Sequence, residues 1–224
     1  MSVPSASIRQ LRLPLQQESP QRAVDLTVSD ANAAAVAALA TWPDTAGAVL
    51  ALFGPAGCGK SHLAAAWVER TGAIALHGAE AALIDPLELE GRPVLLDRAQ
   101  DADDESLFHL INLTHSGGGA LLLVSRDPPA SWATDLPDLC SRLNAIRTVG
   151  VEAPDDLIFA AMLRRAFASR NITPGDDLID YLVRRIDRSA DAAEAVVDRL
   201  DALHRPVTRV LARQVLETGD DLGG

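Results

Sequence analysis

Gly54-Pro55-Ala56-Gly57-Cys58-Gly59-Lys60-Ser61 decides how this chain of 224 residues folds. Two glycines bracket four residues, and a lysine and a serine follow, which is the spacing of a phosphate-binding loop. The glycines permit a tight turn that aims backbone N–H groups at phosphate oxygens. Lys60 brings positive charge to the outer phosphates, and Ser61 brings a hydroxyl to magnesium. The flanks agree. Ala48 to Phe53 reads as a buried strand running into the loop, and Ser61 to Arg70 reads as a helix whose N-terminus adds its dipole to the site.

Outward from the loop, strands are predicted at 48–53, 73–77, 93–97, 120–125 and 146–151, with helical segments between most of them and an alanine-rich helix over 30–40. Strands alternating with helices imply an α/β fold, a parallel sheet covered on both faces with its ligand at the carboxyl ends of the strands. Past Pro154 only helical periodicity remains. Its apolar stripes are Phe159, Leu163, Ala166, Phe167; then Ile179, Leu182, Val183, Ile186; then Ala193, Val196, Val197, Leu200, Leu203; and finally Val207, Leu211, Val215. The expected organisation is a flexible tail over 1–20, a nucleotide-binding domain over 21–153 and a small four-helix lid domain over 154–224.

With 48% hydrophobic and 4% aromatic residues, the chain has enough core to fold unaided. No apolar run approaches the roughly 18 to 20 residues of a membrane span, and Met1 to Ser7 lacks the apolar middle of a signal peptide, so a cytoplasmic location without membrane contact is expected. Cys58 and Cys140 form neither a disulfide framework nor a metal cluster, which leaves two reduced thiols. The net charge of -11 argues against holding duplex DNA directly, because such binding needs clustered lysine and arginine. The pairs Arg164-Arg165 and Arg184-Arg185 read as solvated helix faces.

Four further stretches carry chemistry. Val94-Leu95-Leu96-Asp97 is an apolar strand ending in a carboxylate, which can hold magnesium through water beneath the phosphates or merely cap the next turn. The following residue is Arg98, which cannot serve as a base at neutral pH, so slow or absent hydrolysis by this chain alone is expected. Leu121 to Pro129 delivers Ser125 and Arg126 at a strand end, either as sensors of a terminal phosphate or as a plain turn. Arg142, between Leu139 and Leu143, could reach the nucleotide of a neighbouring subunit or be an ordinary surface arginine. In the tail, Gln10-Leu11-Arg12-Leu13-Pro14-Leu15 could place its leucines in apolar pockets of a partner, with Pro14 lowering the ordering cost, or pack as an edge strand.

Together these elements resemble the DnaA-type AAA+ ATPases of bacterial replication initiation. The resemblance rests on the Gly54 to Ser61 loop followed by His62-Leu63, the strand ending at Asp97, the Ser125-Arg126-Asp127-Pro128-Pro129 turn and the Ser141-Arg142-Leu143 segment, in the family's order, over roughly residues 21–217. The tail peptide resembles one with which the family's regulatory inactivators engage the polymerase sliding clamp, and a full initiator would continue into a DNA-binding domain. The resemblance implies an AAA+ P-loop domain binding ADP or ATP with Mg2+ through Gly54, Pro55, Ala56, Gly57, Cys58, Gly59, Lys60, Ser61 and His62, with Asp97 and Ser125 nearby. It implies Arg142 as an arginine finger toward ATP on the initiator DnaA, the sliding clamp as second partner, DNA contacted only indirectly, and a possible homodimer. Where the family has an arginine at the start of the third lid helix this chain has Asp191, leaving Arg188 as the substitute. A nucleotide-switched adaptor that recruits a partner without catalysis is the alternative reading of the same residues.

Overall fold

The computed structural model describes residues 26–220. Five parallel strands, β1 (Ala48–Phe53), β2 (Ile74–His77), β3 (Pro93–Asp97), β4 (Ala120–Ser125) and β5 (Arg147–Gly150), form one sheet in the order β2-β3-β4-β1-β5. β4 has no exposed residue, as expected of a central parallel strand covered on both faces. Its side chains alternate between two cores. Leu122 and Val124 join Leu50 and Leu52 of β1 beneath α1 (Ala33–Thr41) and α2 (Lys60–Thr71). Leu121 and Leu123 join Leu96 of β3 beneath α3 (Asp104–Gly117) and α4 (Pro137–Ala145).

α1 is fixed to α2 at one point. The Trp42 and Trp67 rings lie 5.1 Å apart, Trp67 Nε1 donates to the Trp42 carbonyl at 3.2 Å, and Arg70 donates to the Leu39 carbonyl at 2.7 Å. This contact closes the core toward the end of α2 away from the phosphate loop. The expected helix over 30–40 starts later, at Ala33, because Ser29 and Asn32 spend their side chains on a turn before it. Between β2 and β3 the chain makes only short 3-10 turns, 78–83 and 86–88, rather than a covering helix.

The C-terminal helices α5 (Asp156–Ala168), α6 (Asp176–Val183), α7 (Ala190–Asp201) and α8 (Arg209–Asp220) enclose a third core built from Phe159, Leu163, Phe167, Ile179, Leu182, Val197 and Leu200, the stripes read from the sequence. Asp155 starts α5 by accepting from Ile158 N at 2.9 Å, and Ser189 starts α7 by accepting from Ala192 N at 3.1 Å. Arg170, four-fifths buried, ties the end of α5 to α7 by pairing with Glu194 at 2.9 Å and with Asp198. No helix among the described residues is long and apolar enough to cross a membrane.

Candidate functional site: a cleft between the phosphate loop and the helical bundle

The loop leaves β1 at Gly54, whose N–H donates to the Arg126 carbonyl at 3.1 Å and so anchors the turn to the end of β4. A Cβ at Gly54 would stand 2.2 Å from the Val151 carbonyl oxygen, so only glycine fits between the two chain segments. Gly57 has a φ of +70°, and a Cβ there would meet the Ser189 Cβ at 2.7 Å. The Gly57 carbonyl accepts from Ala190 N at 3.1 Å. The capped start of α7 is therefore seated directly on the loop.

Behind this contact lies a cleft of about 330 Å³ lined by Gly57 to Leu63 of the loop and α2, by Leu26, Thr27 and Asn32 ahead of α1, and by Ile158, Met162, Arg165 and Asp191 of the bundle, among others. Asn32, 6% exposed, holds the segment ahead of α1 in place: its Nδ2 donates to the Thr27 carbonyl at 2.9 Å and its Oδ1 accepts from Ser29 N at 3.0 Å. Leu26, Ile158 and Met162 supply apolar walls, while Lys60, Ser61 and the first turn of α2 supply donors. This division suits a ligand with a flat apolar end and an anionic end.

Lys60 Nζ donates to the Gly54 and Pro55 carbonyls, each at 2.7 Å, and lies 3.7 Å from Cys58 Sγ. Its ammonium is thus held over the loop rather than sent into solvent. Ser61 and His62 line the cleft. Asp97 stands at the end of β3, two strands from β1, with Oδ1 accepting from Arg98 N at 2.9 Å. Its second oxygen has no protein partner among the described residues. It is not a wall of the cleft, so it suits a cation held through water with Ser61, rather than a direct carboxylate cage. Among the described residues no group of three or more His, Cys, Asp or Glu could hold a metal without such help. The donor set fits a nucleotide phosphate with its own cation.

Other residues are placed differently from the sequence expectation. The Ser125 hydroxyl, in a residue only 2% exposed, donates to the Asp127 carbonyl at 2.7 Å and shapes the turn instead of lining the cleft. Arg188 lies outside the cleft because it precedes the Ser189 cap and is drawn to Asp156 at 2.5 Å. Arg165, read from the sequence as part of a solvated face, lines the cleft one turn past Met162. The signal was the i, i+3 spacing of those two residues on α5, which sequence alone did not tie to a ligand. Two acids also border the cleft: Glu194 is neutralised by Arg170, and Asp191 stands in the first turn of α7.

Arg142 lies apart from this cleft, near the end of α4. Its Cζ is 5.3 Å from the centroid of the Phe108 ring, and its Nη1 donates to His115 Nδ1 at 3.2 Å. Burial, and then the Arg142 charge, hold the His115 imidazole below its ordinary pKa. Gln10, Leu11, Leu13, Pro14 and Leu15 lie outside the described residues.

The parallel sheet, the phosphate-binding loop at the end of β1 and the helical bundle reproduce the fold of DnaA domain III. The sheet and bundle match domain III of Thermotoga maritima DnaA with a TM-score of 0.72 at 17% identity, over 89% of this chain and 97% of that one. DnaA of Aquifex aeolicus, solved with bound AMPPCP, matches with a TM-score of 0.62 at 17% identity, over 82% of this chain and 65% of that one. In sequence, the chain is 30% identical to the chromosomal replication initiator DnaA of Herpetosiphon aurantiacus over 121 residues, 52% of this chain and 26% of the relative. It is 29% identical to DnaA of Chloroflexus aggregans over 103 residues, 46% of this chain and 22% of the relative. The matches thus span about a quarter of the curated relatives' length. No protein-family model matches the chain.

Proposed function

We propose that this chain is an Hda-like negative regulator of replication initiation: it binds an adenine nucleotide in the cleft, docks on the polymerase sliding clamp through Gln10 to Leu15, and presents Arg142 to ATP held by the initiator DnaA, whose hydrolysis it stimulates. The observation that carries this reading is the placement of Arg142. It is a cation without an ion-pair partner among the described residues, ordered against an aromatic ring and away from the chain's own phosphate cradle. A guanidinium so placed can serve a phosphoryl group only on another molecule, where it would stabilise the charge of the transferring group.

The nucleotide reading rests on the amide-lined loop, the Lys60 ammonium and the apolar wall of Leu26, Ile158 and Met162. Gly57, Gly59, Lys60, Ser61 and His62 would contact the phosphates, Ser61 and a water held by Asp97 the Mg2+, and Arg165 takes the bundle-side position assigned from sequence to Arg188. Arg98 follows Asp97 with φ of +48° and its side chain exposed, so no acid stands there to orient an attacking water, in keeping with slow turnover by the chain itself.

The test is a reconstitution with DNA-loaded clamp and ATP-bound DnaA. Wild type should accelerate hydrolysis on DnaA, and Arg142→Ala should lose about 10³-fold of that acceleration, the lower range for an arginine finger. Leu11→Ala with Leu13→Ala should lose the clamp dependence. Full stimulation by Arg142→Ala would leave the adaptor reading, recruitment without catalysis.

A further inference from the structure

His115 closes the last turn of α3, where the free carbonyls of a helix end usually favour a charged imidazole. Here burial and the Arg142 charge disfavour the charged ring instead, and Nδ1 faces Arg142 Nη1 at 3.2 Å, an N–H it accepts only as the tautomer that carries its own proton on Nε2. Phe108 stands seven residues earlier, two turns along the same face of α3, and its ring lies beneath the guanidinium. The arginine is thus held from two directions, by a ring face and by one hydrogen bond. Both contacts are with uncharged groups. One of the five guanidinium N–H donors is used, and the others remain for a ligand. Arg142 and His115 also border a cleft of about 250 Å³, so the pair is reachable from outside.

The chemistry of the acceptor matters. A carboxylate in place of His115 would hold the guanidinium more tightly but cancel its charge, whereas a neutral imidazole fixes the geometry and leaves the full positive charge for a phosphate. An unheld arginine would lose about 2 kcal/mol of rotamer freedom on ordering against its target. We infer that His115 is a positioning residue for Arg142, an uncharged acceptor that presents the guanidinium at the subunit surface for the phosphoryl group of a nucleoside triphosphate on a partner. This inference rests on the finger reading of Arg142 given above.

The test compares His115→Asn, His115→Asp and His115→Ala with wild type and Arg142→Ala in hydrolysis of DnaA-bound ATP, titrating the chain to saturation. Asn and Asp are isosteric, and each offers an oxygen near the Nδ1 position, so they differ chiefly in charge. His115→Asn should keep the maximal rate within about twofold, while His115→Asp and His115→Ala should lower it about tenfold with the half-saturating concentration little changed, as expected for loss of orientation rather than of binding. His115 lies at the surface with only part of its ring covered, so substitutions there spare the core. Should His115→Ala prove unfolded, the Asn and Asp pair still decides. Equal rates for Asn and Asp, or a wild-type rate for Ala, would overturn the positioning role while Arg142→Ala remains inactive. A wild-type rate for Arg142→Ala would instead remove the finger reading and this inference with it.

Discussion

Lys60 shows how a single side chain prepares a site. Its ammonium already donates to two loop carbonyls at 2.7 Å, so an arriving phosphate meets a cation in place rather than a mobile chain end. Removing it deletes a charge-assisted contact worth about 1.5–3 kcal/mol, so Lys60→Ala should weaken adenine-nucleotide binding at least about tenfold by calorimetry. An unchanged affinity would mean that the ligand does not lie in this loop. At His115 the sign of the pH effect is fixed by the fold. Its folded pKa is depressed, so the native contact favours the neutral ring. That contribution is present above the ordinary imidazole value and is lost as pH falls through the folded one. An NMR titration should place the His115 midpoint below that of an exposed histidine. Arg142→Ala should raise it only part of the way, since burial is the larger cause.

At the scale of elements, the strands were legible and the connections less so. Ala48 to Phe53, Pro93 to Asp97 and Ala120 to Ser125 stand where the apolar runs placed them, because a strand covered on both faces needs uninterrupted apolar residues bounded by breakers. The 73–77 strand loses its first residue and the 146–151 strand loses one at each end, within the margin of strand-boundary definition. Helix starts depend on single side chains. Asp155 accepts from Ile158 N, and this bond, its largest influence, holds the carboxyl below the usual range. Asp155→Ala should therefore cost about 1 kcal/mol in denaturant unfolding near neutral pH. The folded pKa is lowered, so the penalty should shrink as pH falls below the ordinary carboxylate range, where the wild-type carboxyl is protonated too. A pH-independent penalty would show that the cap acts through packing.

At the scale of the molecule, the sheet-face core beneath α1 and α2 and the core inside the bundle meet at the cleft, where Gly57 touches Ser189 and Ala190. A ligand held by both sides stabilises their arrangement by mass action, about 2.7 kcal/mol when present at 100 times its Kd. Thermal unfolding of wild type should therefore shift upward with ADP and Mg2+, and that of Lys60→Ala should shift far less. Equal shifts in both proteins would place the nucleotide elsewhere.

The sequence by itself determined the phosphate loop, the strand that feeds it, the parallel α/β class and the helical bundle, because these depend on local spacing: glycines in a turn, period-free apolar strands, apolar stripes at helical period. Tertiary structure alone decided that Arg165 rather than Arg188 borders the cleft, that the Ser125 hydroxyl turns inward to Asp127, and that His115 and Phe108 of α3 meet Arg142 of α4. Residues 27 positions apart come together only when two helices pack on one face of a sheet, and no local pattern carries that information.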